Sequence, residues 1–567
     1  LILVYFVKMD NQKNLLLAVV FSLVILIGFD FFFSPNKNES DTKQLNENVS
    51  EEIADRNVPS IDTSLVKKSK KNKSSESRIQ FKANRIEGSI NLFGATIDDI
   101  ILSDYFQTIE KKEKVRVLYK ESSNSPYFLR MGWASTDKSL ELPNKDSLWK
   151  ASKKNFNNEK IKLEWSNSKG LKIIREISFD KNFMITITDQ VINGTSETID
   201  LTNFSYLRRK NYEPENKFFI LHEGPLGVFN DTLKEVSYDE LQENKEIVES
   251  TTNGWIGYTD HYWQVAIFPD TNESFKARFK TLNNRRNSIQ IDFINDNVKS
   301  VKPNENLVSK SYVFAGAKEV PLIDNYIKQL NVNKLDLSVD FGWFYFLTKP
   351  LFYALNFLST KFQNFGIGII ILTIFIRIIL FPLANKSFKS MNSMRILTPE
   401  IQRVRERYKD DKQKMNQEMF ALYREKKINP AAGCLPILIQ IPIFFALYKV
   451  LFVSIEMRHA PFFGWIKDLS APDPTSLFNL FGLIPWDPPL FLTIGIWPLL
   501  MGLTMYLQQK INPPPPDPIQ AKIFMMLPFI FTFLLATFPS GMVVYWTVNN
   551  VLSIGQQYIL LKKQKKE

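Results

Sequence analysis

The chain has 567 residues, 44% of them hydrophobic, a formal net charge of +12 and one cysteine. That length exceeds a single domain, and a lone Cys434 excludes intrachain disulfides and cysteine-based zinc or iron–sulfur centres. His222, His261 and His459 form no metal-spaced pair, and neither a phosphate-binding glycine loop ending in Lys-Ser/Thr nor an HExxH sequence occurs. Nothing in this inventory points to an enzyme, a metal or another cofactor.

At the N-terminus, Met9 reads as a more natural start than Leu1. Leu15–Phe33 is a long apolar run preceded by Lys8 and Lys13, with no small-residue cleavage site behind it. We read residues 1–33 as an uncleaved signal anchor, the first span, with its N-terminus in the cytoplasm. Residues 34–78 are rich in Asn, Ser, Lys, Glu and Asp and form an expected disordered tether. Residues 79–327 change to short alternating runs, such as Lys172–Phe179 (KIIREISF), Phe183–Thr188 (FMITIT) and Val308–Phe314 (VSKSYVF). Period-two alternation broken by turn residues predicts an antiparallel β domain, a sandwich. His222 and His261 have no carboxylate partner in view there and read as surface or satisfied histidines.

Phe341–Phe362 is aromatic-rich and runs almost directly into the next apolar segment, which predicts an interfacial amphipathic helix at 341–362. Gly366–Leu383 (GIGIIILTIFIRIILFPL) follows as the second span. At 1.5 Å per residue it makes a helix of roughly 27 Å, near the thickness of a hydrocarbon core. Residues 384–430 carry twelve Lys or Arg against six Asp or Glu. Ile401, Val404 and Tyr408, then Met415, Met419 and Leu422, recur at helical spacing around Asp410-Asp411, predicting a helical hairpin. Its basic excess places it in the cytoplasm, so the positive charge follows the membrane and does not signal nucleic-acid recognition. Alternation then gives spans at 433–453, 489–507, 523–538 and 542–561, with 454–488 outside and a basic cytoplasmic tail at 562–567. The sum is six spans, both termini inside.

Arg377 stands out within the second span. A charge there costs about 3 kcal/mol on insertion scales and is a functional hypothesis by default. Snorkelling to the nearer surface or a structural ion pair would be the plainer explanations. The four later spans hold no Asp or Glu, and Asp30 belongs to the opposite membrane surface. A guanidinium kept wet for an incoming ligand fits better. The topology gathers Gln440, Thr504, Ser553, Gln556 and Gln557 in the inner-leaflet half, with Asn549 and Asn550 near mid-membrane. Such groups need partners in lipid. They either line one shared polar recess open to the cytoplasm or act as interhelical glue, and the recess accounts better for the bias to one leaflet.

RIILFPL (Arg377–Leu383), Met394–Tyr448 with its INPAAGCLPILIQIPIFFALY ending, FPSGMVVYW (Phe538–Trp546) and NGWIGYTDHYWQVAIFP (Asn253–Pro269) resemble the YidC/Oxa/Alb membrane protein insertases, in their long Gram-negative form. The resemblance implies a periplasmic β-supersandwich and an α-helical polytopic membrane part. The latter would be a five-helix core around a hydrophilic groove open to cytoplasm and lipid, within the bacterial inner membrane. It matches Arg377 to the groove arginine and places Thr373 and Trp546 at positions linked to substrate contact. Gln440, Asn549, Ser553 and Gln556 would complete the groove. Implied partners are nascent membrane proteins, the Sec translocon and membrane lipids. Ribosome or targeting factors would meet Arg403, Arg405 and Arg407 on the hairpin. The rival of another class is a secondary transporter binding a small anion at Arg377. It would want paired broken helices or an internal repeat, and neither is seen.

Overall fold

The computed structural model describes residues 77–564 apart from 213–220, 271–272, 283–284, 331, 333, 343, 427–434, 487, 490–491 and 513–517. The anchor expected at 1–33, Asp30 within it, nearly all of the tether and the last three residues of the tail lie outside the described residues.

Strands between Arg78 and Ala317 form two sheets, one of eleven strands and one of nine. Pairing is antiparallel except where Arg78–Lys82 runs parallel to Asn155–Asn157. The KIIREISF and FMITIT runs fall on neighbouring strands, Leu171–Phe179 and Met184–Asn193, and the latter also pairs with Asn306–Ala317. Alternation sends Leu171, Ile173 and Ile177 into the core. There they join Ile185 and Val313 of the same sheet and Leu129, Leu207 and Ile291 of the other in one apolar cluster. The same alternation turns Arg175 inward. Its guanidinium is held by both oxygens of Asp189 at 2.7 Å, and Trp133 Nε1 donates to Asp189 at 3.0 Å. This forked, charge-assisted geometry is what keeps a buried ion pair satisfied. One short helix, α1 (Tyr238–Asn244), decorates the domain.

A helix α2 (Val320–Leu330) leads out of the second sheet. Next comes α3 (Tyr345–Phe362), tied to α2 by Lys349 on Asp324 at 2.8 Å and exposing Phe346, Tyr353 and Phe357. It ends on Gln363 in the left-handed region, and the chain turns straight into α4 (Phe365–Arg407), where the Asn364 side chain caps Ile367 N at 3.1 Å. A Cβ on Gly368 would lie 2.6 Å from Ser359 Oγ, so glycine is what lets α3 and α4 approach so closely. The expected boundary at 383/384 does not exist as a break. The helix continues for 43 residues through Pro382 and Pro399, past Asn385 and Asn392, and ends at Arg407 ahead of the turn at Asp410-Asp411. Beyond that turn α5 (Lys412–Glu425) starts on Asp411, whose side chain accepts from Lys414 N at 3.0 Å.

Among the described residues four further α-helices follow: α6 (Leu435–Val453), α7 (Ile496–Ile511), α8 (Pro518–Leu535) and α9 (Ser540–Gln564). Among the described residues, only the Phe365–Met394 part of α4 is long and apolar enough to count as a membrane span on those grounds alone. The span read at 489–507 starts ahead of its helix, which begins at Ile496. Asp473 Oδ2 accepts from Trp497 N at 2.9 Å and Thr475 Oγ1 from Ile496 N at 3.0 Å, so the start is capped by residues more than twenty positions away. The β domain sits on the C-terminal end of α6. His261 Nε2 meets Phe452 O at 2.8 Å, its ring stacks on Phe452, and Arg458 donates to Gln107 O at 2.9 Å.

Candidate functional site

Four helices, α4, α6, α7 and α9, place the polar residues singled out above. Asn549, Ser553 and Gln556 stand at i, i+4 and i+7 of α9, which is one face of a helix. Arg377 reaches this face from α4 and Gln440 from α6. Arg377 Nε donates to Asn549 Oδ1 at 2.8 Å. One terminal guanidinium nitrogen donates to Ser553 Oγ at 2.6 Å and to Asn549 O at 3.3 Å. Gln440 Nε2 donates to the same Asn549 Oδ1 at 3.3 Å, and the Ser553 hydroxyl donates to Asn549 O at 2.7 Å. Every group that receives the guanidinium is neutral, and among the described residues no carboxylate pairs with it. The arginine is therefore oriented without being neutralised. It is half-buried, while Phe375, Ile378 and Ile379 around it on α4 are exposed.

The remaining predicted residues take different places. Thr373, one turn before Arg377, is buried with its hydroxyl on Ile369 O at 2.7 Å. Trp546, one turn before Asn549, packs on Phe444 at 4.7 Å and Phe531 at 6.0 Å between ring centres. Gln556 is buried and its Nε2 meets no hydrogen-bond partner among the described residues. An unpaired amide of this kind beside the Arg377 row is suited to water or to a polar ligand.

Asn550 and Gln557 do not share this face. Asn550 Nδ2 donates to Thr504 Oγ1 at 3.3 Å and Gln557 Nε2 to Asn512 Oδ1 at 2.9 Å, both toward α7. The polar residues thus divide into two rows. The row on 549, 553 and 556 meets Arg377 through Asn549 and Ser553, and the row on 550 and 557 bonds α9 to α7 and its C-cap Asn512. Expecting a single shared recess merged the two, because both rows lie on the same stretch of α9 and only the 100° step between neighbours separates them.

On the hairpin, Arg403 and Arg407 are exposed and Arg405 is half-buried near the end of α4, while Leu397 and Ile401 are buried. Ile396 and Phe420 stay exposed there. Sequence reasoning passed over Lys449, a cation inside the apolar run of α6, which pairs with Asp340 at 2.6 Å. The signal was present in Tyr448-Lys449-Val450, four residues before the run ends. The seat of His261 on Phe452 had no signal, since the two are 191 positions apart.

A β domain joined to apolar helices that hold an unneutralised arginine defines an integral membrane protein with a large extramembrane domain. Residues 78–354 match the YidC periplasmic domain family, and residues 357–567 match the 60Kd inner membrane protein family. The chain is 42% identical over 560 residues to a membrane protein insertase YidC of Pelagibacter ubique (strain HTCC1062), covering 98% of this chain and 99% of that one. It is also 42% identical over 557 residues to the membrane protein insertase YidC of Rickettsia africae (strain ESF-5), with the same coverage. A crystal structure of an active YidC insertase with its first transmembrane domain resolved is similar at 19% identity and a TM-score of 0.36, over 85% of this chain and 93% of that one. The chain belongs to the YidC family.

Proposed function

We propose that this chain is a membrane protein insertase of the bacterial inner membrane, moving hydrophobic segments from the cytoplasmic side into the bilayer without nucleotide hydrolysis. The observation that carries the reading is the Arg377 guanidinium, held by Asn549 and Ser553 and by no carboxylate among the described residues. An arginine keeps its charge at any accessible pH. Inside a low-dielectric bundle that charge attracts an anion far more strongly than it would in water. The short acidic N-terminal tail of an incoming protein is the ligand this chemistry selects. Its attraction to Arg377 lowers the cost of bringing the tail partway across. The apolar helix behind the tail then leaves sideways into lipid, where burial contributes about 25 cal/mol per Å².

In this reading α4, α6, α7, α8 and α9 are five spans of a core whose groove opens to the cytoplasm. The anchor at 1–33 makes six spans, and both termini are cytoplasmic. The β domain is a periplasmic supersandwich, and α3 lies in the interface with its exposed aromatic residues toward lipid. The α4–α5 hairpin receives substrate from ribosome or targeting factors, and the Sec translocon shares some substrates. The test is insertion of matched substrates with and without tail carboxylates, in cells relying on Arg377→Ala at equal membrane levels. Selective loss of the acidic-tailed substrate supports the reading, and equal activity of variant and wild type on it removes Arg377 from the mechanism.

A further inference from the structure

The connection between α6 and α7 contains a segment built unlike a loop in water. From Pro474 to Trp486 no residue is charged. Leu477, Phe481, Leu483, Ile484 and Trp486 are all exposed, Leu483 by 83%. The backbone is meanwhile bonded inward: Phe481 N to Ser476 O at 2.8 Å, Ile484 N to Asn479 O at 3.0 Å and Leu477 N to Ile494 O at 2.9 Å. Leu480 and Phe481 close the turn at φ 49° and 58°, a left-handed pair that large side chains ordinarily avoid. A surface loop in water presents polar side chains and leaves backbone groups to the solvent. Satisfied backbone with apolar side chains outward is instead what lipid demands of a chain.

The length of α7 points the same way. Its apolar part, Ile496–Leu507, is followed by Gln508, Gln509 and Lys510. Twelve residues rise about 18 Å, well short of a hydrocarbon core of ~30 Å. The loop is fastened to the outer end of this short helix by Asp473, buried to 3% exposure. Asp473 caps Trp497 N through Oδ2, while its Oδ1 accepts from Thr475 N at 3.0 Å and from Trp465 Nε1 at 3.1 Å.

We infer that Leu477–Trp486 rests in the outer leaflet, with its apolar side chains among acyl chains and Trp486 and Trp465 at headgroup level, supplying the depth that α7 lacks. This rests on the reading of α4 and α6–α9 as spans, and it moves part of the 454–488 connection from water to lipid. Aromatic residues at such a boundary are favoured because one end of the ring is apolar and the other tolerates water. The wedge also accounts for why Asp473 is buried at the base of the loop, since it fixes the loop's height against the helix.

Depth-dependent quenching tests the inference. In a Cys434→Ala background, Leu483→Cys, Phe533→Cys on α8 and Lys160→Cys on the β domain are labelled with an environment-sensitive fluorophore. Each is reconstituted in phosphatidylethanolamine–phosphatidylglycerol liposomes. Leu483 is almost wholly exposed, so the label displaces no core contact. The expected result is quenching by nitroxide lipids at Leu483 as at Phe533, with iodide quenching about threefold weaker than at Lys160. Leu483 behaving like Lys160 while Phe533 is lipid-quenched overturns the inference and leaves the spans intact. Phe533 open to iodide overturns the spanning reading and the inference together. Shielding of Leu483 in native membrane vesicles but not in pure lipid assigns the loop to a protein partner and also overturns it.

Discussion

Asn549 holds Arg377 twice, through its side-chain oxygen at 2.8 Å and its backbone carbonyl at 3.3 Å. Both acceptors are uncharged, so this contact can be converted to an ion pair by changing one atom of the amide. Asn549→Asp should leave the bundle as heat-stable as the wild type or more so, because a carboxylate now pairs with a half-buried guanidinium. It should nevertheless reduce insertion of acidic-tailed substrates by at least about tenfold, worth ~1.4 kcal/mol. Arg377→Lys should retain much of the activity, since the charge survives although the fork of donors is lost. Arg377→Glu should fail more severely than Arg377→Ala. Insertion assays on matched substrates, with melting curves for each variant, separate charge from architecture. Full activity of Asn549→Asp on an acidic tail would refute attraction by free charge.

The seat of the β domain on α6 should be pH-dependent through His261. Burial pushes this imidazole down to about 4 even though its contact with Phe452 O opposes the shift. A folded pKa below the unfolded value of about 6.5 means the unfolded chain binds a proton first, so this group lowers stability as pH falls from about 6.5 to 4. Glu456 acts in the opposite sense. Burial raises it to about 7, so its neutral form favours the folded state as pH falls through that value. The informative quantity is therefore the difference between His261→Gln and wild type. The melting temperature of the variant should gain on that of wild type between pH 7 and pH 5. A constant difference would show that His261 does not titrate in the joint.

Removing one partner of the Arg175–Asp189 pair leaves a guanidinium buried to 2% exposure without its carboxylate. Asp189→Ala should destabilise the β domain by about 3 kcal/mol. Insertion should persist, because Arg377 and its partners all belong to the helices. Calorimetry on the purified chain checks the first statement and substrate insertion the second. Loss of insertion with the protein still at normal membrane levels would make the β domain part of the mechanism.

Crosslinkers placed at the exposed Arg403 and Arg407 should capture substrate or its delivery factors before any crosslink forms from position 377. Capture should weaken as salt rises, since exposed charges separated by more than about 8 Å are screened at physiological ionic strength. Failure to capture anything during insertion would reduce the hairpin to a connector.

The meeting of Arg377 with Asn549 and Ser553 was legible in sequence. A cation in an apolar run is a strong outlier, and polar residues at helical spacing in a later run are its natural company. The two sheets were legible in runs such as KIIREISF for the same reason, a period that only one kind of element satisfies. What escaped depends on contacts between distant positions. The start of α7 at Ile496 is set by Asp473 and Thr475, and no local pattern announces a cap supplied from so far back. The continuity of α4 through Pro382 escaped because composition changes at residue 384 while helix propensity does not. Lys449 was visible and simply passed over; its partner Asp340 lies 109 positions away.

The two polar rows of α9 give that helix unequal commitments. Toward α7 it is joined by side chains that donate and accept among themselves, Asn550 with Thr504 and Gln557 with Asn512. Toward α4 its oxygens serve a cation that any better acceptor can claim. In the proposed mechanism a carboxylate arriving at Arg377 would relieve Asn549 and Ser553 of their roles one bond at a time, while the bonds on the other side of α9 hold it in place. Admission of a guest then needs no rupture of the host, only a change of who answers the same charge.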